Sequence, residues 1–600
     1  MIRTPLRPLA RILQARAKGE NPDAIERENR RLRHEAMRDT SRGRAEVRLL
    51  VLCIGFLAVY GMIGLRMGVL AATEPTEPRA AVRGAEILAS RADITDRNGR
   101  ILATNMLTHS LYVQPRDMVD PAMVARELAA IFPEMDAATL ERRFTDGRSF
   151  MWVRRVLSPE QMQAVHDIGD PGLLFGPREM RLYPNGAIAA QVLGGASFGA
   201  EGVDSAEVIG MAGIEKAMDS RLRDPAQAGT PLALSLDLTL QATVEEVLGT
   251  GMTMLQAKGA AAILMDVKTG EVLALASLPD FDPNDRPPMP TSGQPGDSPL
   301  FNRAVQGVYE LGSTFKIFAA AQAMELGLVN PETMVDANAP MRWGKFKIDE
   351  FEGHNYGPLL SVSDVIAKSS NVGTARIALM IGGERQQAFL RALGLLSPPT
   401  VELVESTASK SLAPDRWSEI VTITAGYGHG IASSPMNLAA AYATLANGGR
   451  KVTPTLLLGG NPEPGVRIVS EAVGAASIAM LRRVVTEGTA TMAEVPGYAV
   501  AGKTGTAEKP RRGGGYDSDK VINTFASVFP ANDPQYVLIV TLDEPVETSG
   551  PKPRRTAGWT AVPVAAELIR RLAPLMGLRP QVENPALIGV SATKSPGSDD

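Results

Sequence analysis

A chain of 600 residues is too long for one ordinary domain, and its 44% apolar and 21% charged residues are globular proportions, which excludes a wholly disordered or collagen-like chain. A net charge of −4 argues against a nucleic-acid binder, the single Cys53 forbids an intramolecular disulfide, and five scattered histidines without paired spacing give no reason to expect a metal site.

Residues 1–48 form a basic tail, with thirteen Lys and Arg against seven Asp and Glu. Leu49 to Leu65 runs seventeen residues without a charge; Arg66 interrupts, and the apolar run resumes to Ala72. As a helix rising about 1.5 Å per residue, these stretches reach about 25 Å and about 36 Å, enough for one membrane span over 49–72 with Arg66 snorkelling to the headgroups. The 48 residues before it are too many for a signal-peptide n-region, and a core helix is seldom apolar on every face. The excess of positive charge before the span places the N-terminus in the cytoplasm and roughly 530 residues on the far side. An exported part without cysteine needs no oxidative folding.

Residues 73–86, rich in Pro, Glu and Ala, read as a linker, and 87–235 as a mixed domain. Within it, Asp96–Arg100 is a turn signal before the apolar run Ile101–Ala103, and Pro121–Phe132 and Pro159–Ile168 read as amphipathic helices. A second domain is expected over 236–576. It opens with two apolar runs, Ala260–Asp266 and Glu271–Ser277, around a hairpin turn at Val267–Gly270. Residues 279–299 read as a loop. Helical patterns follow at Ser313–Leu326, Ser361–Met380, Pro435–Asn447 and Ala475–Thr486, then strands at Tyr498–Gly502, Thr524–Phe529 and Tyr536–Leu542. This order predicts an α+β fold, a mainly antiparallel sheet flanked by helices. Residues 577–600 read as a disordered tail.

Three short motifs carry the chemistry. Ser313-Thr314-Phe315-Lys316 puts a hydroxyl and an amine three apart on one helical face, with Ser313 in the first turn among free backbone N–H groups. Serine is a weak nucleophile until a base takes its proton, and Lys316 can do so only if burial and a second cation pull its pKa down from about 10.4. S-x-x-K also occurs at Ser549/Lys552, where Pro551 breaks the helix, and at Ser591/Lys594 in the tail; only Ser313 opens an apolar helix. Ser369-Ser370-Asn371 is the only S-x-N in the chain, with Ser369 placed to relay a proton and Asn371 to hold Lys316 and a substrate amide. Lys503-Thr504-Gly505-Thr506 follows an apolar run and offers a cation, two hydroxyls and a glycine for close approach. Lys268-Thr269-Gly270 is a decoy, read as a hairpin turn. Serine at 313, S-x-N at 369 and K-T-G at 503 form an ordered set known from penicillin-binding proteins and class A β-lactamases.

The sequence resembles the class B penicillin-binding proteins. Besides the three motifs, Arg91, Asp96-Arg97 and Gly99 resemble the start of that family's pedestal domain, Gly213-Ile214-Glu215 and Asp219 its end, and residues 234–241 (LSLDLTLQ) the start of its transpeptidase domain. Asn302-Arg303, Tyr427-Gly428-His429-Gly430 and Gly514-Gly515-Tyr516 look like the division type rather than the elongation type. The resemblance implies a D,D-transpeptidase that cross-links peptidoglycan stem peptides on lipid-linked glycan strands and is blocked by β-lactams, with no cofactor. It implies Ser313 as nucleophile, Lys316 as base, Ser369 as proton shuttle, Asn371 for positioning, Lys503 for positive potential, and Thr504, Gly505 and Thr506 for binding the substrate carboxylate. Backbone N–H groups of Ser313 and Thr506 would form the oxyanion hole. It further implies a single-pass inner-membrane protein with a periplasmic catalytic domain, partnered with divisome proteins. The Gly64–Gly68 G-x-x-x-G pattern suggests pairing of the span with a membrane glycan polymerase of the FtsW kind. The chain departs from the family at Glu310-Leu311-Gly312, where Pro is frequent, and at Trp559, where a small residue is expected; His429 reads as a packing residue near the site. An elongation-specific transpeptidase and a mainly scaffolding divisome protein are the alternative readings. A β-lactamase would be less than half this size, and no glycosyltransferase motif precedes the second domain.

Overall fold

The computed structural model describes residues 7–72, 91–201, 206–227, 229–460, 463–511 and 514–581. The linker expected at 73–86 and Ser591/Lys594 lie outside them. Residues 1–83 and 84–600 are separate compact units.

In the first unit a short helix α1 (Arg7–Ala17) precedes a single 50-residue helix α2 (Asp23–Ala72). The basic tail is therefore helical from Asp23 onward, laced by pairs such as Glu26–Arg30 (3.0 Å). The Leu49–Met67 stretch of α2 has a mean hydropathy of 2.1 and none of it is buried, the pattern of a candidate membrane span.

In the second unit a long strand β1 (Ile101–Val113) leaves the Asp96–Arg100 turn, where Asp96 Oδ1 accepts from Asn98 N and Arg100 N. Helices α3 (Pro121–Ile131) and α4 (Ala137–Thr145), strand β2 (Met151–Leu157), helix α5 (Pro159–Ile168) and strand β3 (Leu173–Leu182) follow. Each of these helices starts at a side-chain cap, Asp120, Asp136 or Ser158, and Ser158 forms a full capping box with Gln161. β2 and β3 flank β1 antiparallel, over a small core of Leu111, Val124, Leu128, Phe132 and Phe144. At the base of this region Ile94, Leu102, Tyr183 and Leu236 belong to the main core of the unit. There Glu215, fully buried, pairs with Arg91 (2.7 Å) and Arg181 (2.6 Å) and accepts from Tyr183 Oη (3.2 Å).

Helix α6 (Leu238–Met254), capped by Asp237, leads into the expected hairpin of β4 (Gly259–Asp266) and β5 (Val272–Leu278). Helices α7 (Lys316–Glu325), α8 (Val362–Ala367), α9 (Asn371–Ile381), α10 (Pro435–Ala446) and α11 (Glu471–Thr486) come next. Strands β6 (Ala501–Pro510), β7 (Tyr516–Phe529) and β8 (Tyr536–Asp543) and helix α12 (Ala561–Leu575) close the fold. The sheet is antiparallel throughout, in the order β6-β7-β8-β4-β5, which agrees with the α+β expectation. Every residue of β5 is buried, so both sheet faces are covered. α6 packs with α12, and α10, buried along nearly its whole length, packs with α11.

Three expectations need correction. The helix foreseen over Ser361–Met380 is two helices, α8 and α9, with Ser369 between them in the left-handed region (φ 61°). The strand foreseen to end at Gly502 begins at Ala501 and runs through the K-T-G-T motif. The tail foreseen as disordered from 577 is packed as far as 581: Gly577 (φ 75°) turns the chain back, and Gln581 N donates to Gly497 O (2.9 Å). Its remainder lies outside the described residues.

Candidate active site

The nucleophile turn is built by close backbone packing. Gly312–Phe315 forms a tight 3₁₀ turn that runs straight into α7, so Ser313 and Lys316 stay on one helical path, with Ser313 in the turn before α7 and Lys316 its first residue. Gly312 is left-handed (φ 53°), and a Cβ there would come within 3.1 Å of Thr506 O. A Cβ on Gly505 would fall 2.3 Å from Leu311 O, and one on Gly428 2.1 Å from Gly312 O. Only glycine at 505 and 428 lets β6 and the 427–430 loop close on the turn from two sides. From the core, Tyr442 Oη on α10 donates to Thr314 O (2.8 Å), and Phe315, Phe318 and Tyr442 stack edge to face.

The three motifs converge as expected. Lys316 and Lys503 are both fully buried. Lys316 Nζ donates to Ser369 O (2.5 Å) and Asn371 Oδ1 (2.7 Å) and lies 3.2 Å from Ser369 Oγ. Lys503 Nζ reaches the same hydroxyl at 2.9 Å and Thr504 O at 3.2 Å. Ser369 Oγ thus bridges the two amines, and the left-handed backbone at Ser369 brings both its carbonyl and its hydroxyl to Lys316. Burial pulls Lys316 down to about 7, against the opposing effect of Glu350. Burial, and then Lys316 beside it, holds Lys503 well below the ordinary lysine value. Two ammonium groups this close and this dry are unfavourable together, so the positive potential expected of Lys503 belongs to the pair. Lys316 Nζ makes no hydrogen bond to Ser313 Oγ in this state; such contacts commonly tighten only around substrate.

Ser313, Ser369, Asn371, Thr504 and Thr506 line one cleft of about 560 Å³. Thr504 Oγ1 is 2.7 Å from Thr489 Oγ1, and Thr506 Oγ1 accepts from Ala557 N (3.0 Å). Gly505 faces the nucleophile turn instead of the cleft and serves through its missing side chain. Trp559 also lines the cleft, its ring 3.7 Å from the Arg554 guanidinium. His429 packs at the cleft, as expected, its ring 4.6 Å from that of Tyr516; its Nδ1 is 3.1 Å from Glu310 Oε2, and that interaction raises its pKa. The rival motifs lie elsewhere. Lys268–Gly270 is the β4–β5 turn, held by Asp266 Oδ1, and Ser549 sits in a loop whose N–H donates to Glu547 (2.6 Å).

Sequence reasoning missed Glu350 and Thr489. Glu350, only 4% exposed, accepts from Ser370 Oγ (2.5 Å), Asn371 N (2.6 Å) and Val372 N (3.2 Å). It lies in an irregular segment 21 residues before Asn371, and no local pattern signals such a partner.

Comparison with known proteins shows the family. The profile of the penicillin binding protein transpeptidase domain matches residues 260–569, and that of the penicillin-binding protein dimerisation domain matches 86–227. The chain is 35% identical over 509 residues to the probable peptidoglycan D,D-transpeptidase FtsI of Caulobacter vibrioides, covering 82% of each chain. It is 28% identical over 486 residues to the peptidoglycan D,D-transpeptidase FtsI of Escherichia coli K12, covering 78% of this chain and 81% of that one. The crystal structure of penicillin binding protein 3 from Mycobacterium tuberculosis complexed with aztreonam superposes with a TM-score of 0.62 at 26% identity, over 82% of this chain and 98% of that one. The same protein complexed with ampicillin gives 0.62, also at 26% identity, over 84% and 99%.

Proposed function

The chain belongs to the penicillin-binding protein transpeptidase family, and from that premise we propose that it is a serine D,D-transpeptidase cross-linking peptidoglycan during septal wall synthesis. The observation that carries the reading is the buried Lys316–Ser369–Lys503 relay at the floor of a cleft that also holds Ser313.

In this mechanism Ser313 Oγ attacks the carbonyl of the penultimate D-Ala of a donor stem peptide while Lys316, in its neutral form, takes the proton. The N–H groups of Ser313 and Thr506 receive the oxyanion. The tetrahedral intermediate collapses to an acyl-enzyme, and the terminal D-Ala leaves as an amine that takes its proton back through Lys316 and Ser369 Oγ. The amine of an acceptor stem peptide then attacks the ester; the new amide bond forms, its proton returns by the same relay, and Ser313 is restored. Thr504 and Thr506 hold the donor's terminal carboxylate under the positive charge of the lysine pair, and Asn371 orients Lys316 and the substrate amide. β6 is the edge of its sheet and offers unpaired backbone to an extended peptide. A β-lactam enters as a donor mimic and leaves Ser313 acylated.

The same reading makes 87–235 the pedestal, 236–576 the catalytic domain and 49–72 the single inner-membrane anchor, with the catalytic domain periplasmic. It pairs the anchor with an FtsW-like glycan polymerase within the divisome; unchanged co-purification after G64L/G68L would remove that partner. The activity is tested by supplying lipid-linked disaccharide pentapeptide and a glycan polymerase. Cross-linked muropeptides with release of D-Ala, lost in S313A, are expected; equal cross-linking by S313A contradicts the reading. A fluorescent fusion is expected at midcell, and one along the lateral wall would point to elongation instead.

A further inference from the structure

Two lysines buried side by side need a nearby negative charge, and the described structure supplies one from a segment that carries none of the three motifs. After a short strand, Phe346–Ile348, the chain places Glu350 against the N-terminus of α9. Its Oε2 accepts from Asn371 N (2.6 Å), and its Oε1 accepts from Ser370 Oγ (2.5 Å) and Val372 N (3.2 Å). The preceding residue finishes the clamp: Asp349 O accepts from Asn371 Nδ2 (2.9 Å), which leaves Asn371 Oδ1 facing Lys316 Nζ (2.7 Å). Residues 349–350 therefore hold the backbone and the side chain of Asn371 and the hydroxyl of Ser370. That clamp braces the adjoining left-handed turn at Ser369, a conformation that is costly for any residue but glycine.

We propose, on the transpeptidase reading above, that Glu350 is a positioning residue for acylation: it sets Asn371 and through it Lys316, and its carboxylate offsets the charge of Lys316. Lys316 is faced by Lys503 from β6 and by Glu350 from this segment, while Glu352, His354, Tyr356, Lys368, Tyr427, His429 and Glu508 stand around the cleft. Of these, Glu350 is the charge that favours the protonated form of Lys316, opposing burial. Removing it makes Lys316 lose its proton more readily.

The test is the pH profile of acylation by a fluorescent penicillin, using the full-length chain in membranes. Glu350→Gln is nearly isosteric: with its amide oxygen accepting from Asn371 N and its NH₂ facing Ser370 Oγ, the Ser370 hydroxyl loses its carboxylate acceptor and the bond to Val372 N is given up, so the position of the limb and not the maximal rate is the readout for this variant. The acid limb of its profile is expected to move down by about one pH unit relative to wild type. Glu350→Asp keeps the charge but withdraws the carboxylate by one methylene. It is expected to leave the limb in place and lower the maximal rate about tenfold or more. A limb in E350Q at the wild-type pH, whatever its maximal rate, overturns the proposal. If E350Q does not accumulate, E350D decides alone, and a wild-type maximal rate in it overturns the positioning role. Wild-type protein that is not acylated at any pH defeats the transpeptidase reading itself, a distinguishable failure.

Discussion

A lysine amine becomes a base at neutral pH only by being kept out of water, and Lys316 has no exposed surface. Moving its pKa from 10.5 to about 7 corresponds to about 5 kcal/mol of disfavour for the charged form. In the proposed mechanism the neutral form takes the proton, so acylation of Ser313 is expected to rise with pH through about 7 and then level off, read as the rate of fluorescent-penicillin labelling. A profile flat between pH 5.5 and 8, a range set by the usual titration span about one to two units around such a group, would exclude Lys316 as the base. Lys316→Arg keeps a cation that cannot be deprotonated and is expected to slow labelling by about 10²-fold or more. Gly505→Ala tests the packing: its methyl meets Leu311 O at 2.3 Å, so the turn carrying Ser313 must shift. A loss of about 1–3 kcal/mol in unfolding free energy, with slower labelling, is expected; unchanged labelling would show that the turn yields freely. That Ser313, Lys316, Ser369, Asn371 and the K-T-G-T residues belong together was legible in the sequence because the spacing and flanking patterns of each motif are local. Glu350 was not legible, because its tie to α9 is tertiary.

At the scale of elements, local signals were read well where the chain satisfies itself. Helix α5 begins where Ser158 and Pro159 place it, and the β4–β5 hairpin turns at Gly270 as foreseen. They were misread where a distant group decides. The pattern from Ser361 to Met380 is helical by periodicity, but Ser370 caps a new helix by accepting from Gly373 N, and Glu350 takes the next free N–H groups. Gly505, read as a glycine for close approach, lies inside β6 with Leu311 O occupying the space of its side chain. α6 was not foreseen at all, since Gly249 and Gly251 weaken its propensity; Gly251 is retained where Val564 of α12 packs, 2.7 Å from a would-be Cβ. One prediction belongs here. Glu215 joins β3, through Arg181, to Arg91 ahead of β1, with all three side chains buried. Glu215→Gln leaves two guanidinium groups short of a counter-charge and is expected to cost about 3–5 kcal/mol in chemical denaturation. An unchanged midpoint would mean that Asp219, 2.7 Å from Arg91, suffices.

At the scale of the whole molecule, the residues proposed for catalysis all lie in the unit 84–600, while the candidate span lies in the unit 1–83. The full chain is accordingly expected to sediment with membranes, whereas a chain lacking residues 1–72 is expected in the soluble fraction and still labelled by penicillin. Loss of labelling on truncation would mean that the first unit contributes to the site. The central claim is that Ser313, of three serines in S-x-x-K settings, is the nucleophile. It is tested most directly by incubating membranes with a fluorescent penicillin and comparing wild type with S313A and S549A. A stable covalent band near 63.8 kDa is expected in wild type and S549A and none in S313A. A band that persists in S313A, or its absence from correctly inserted wild type, would contradict that claim.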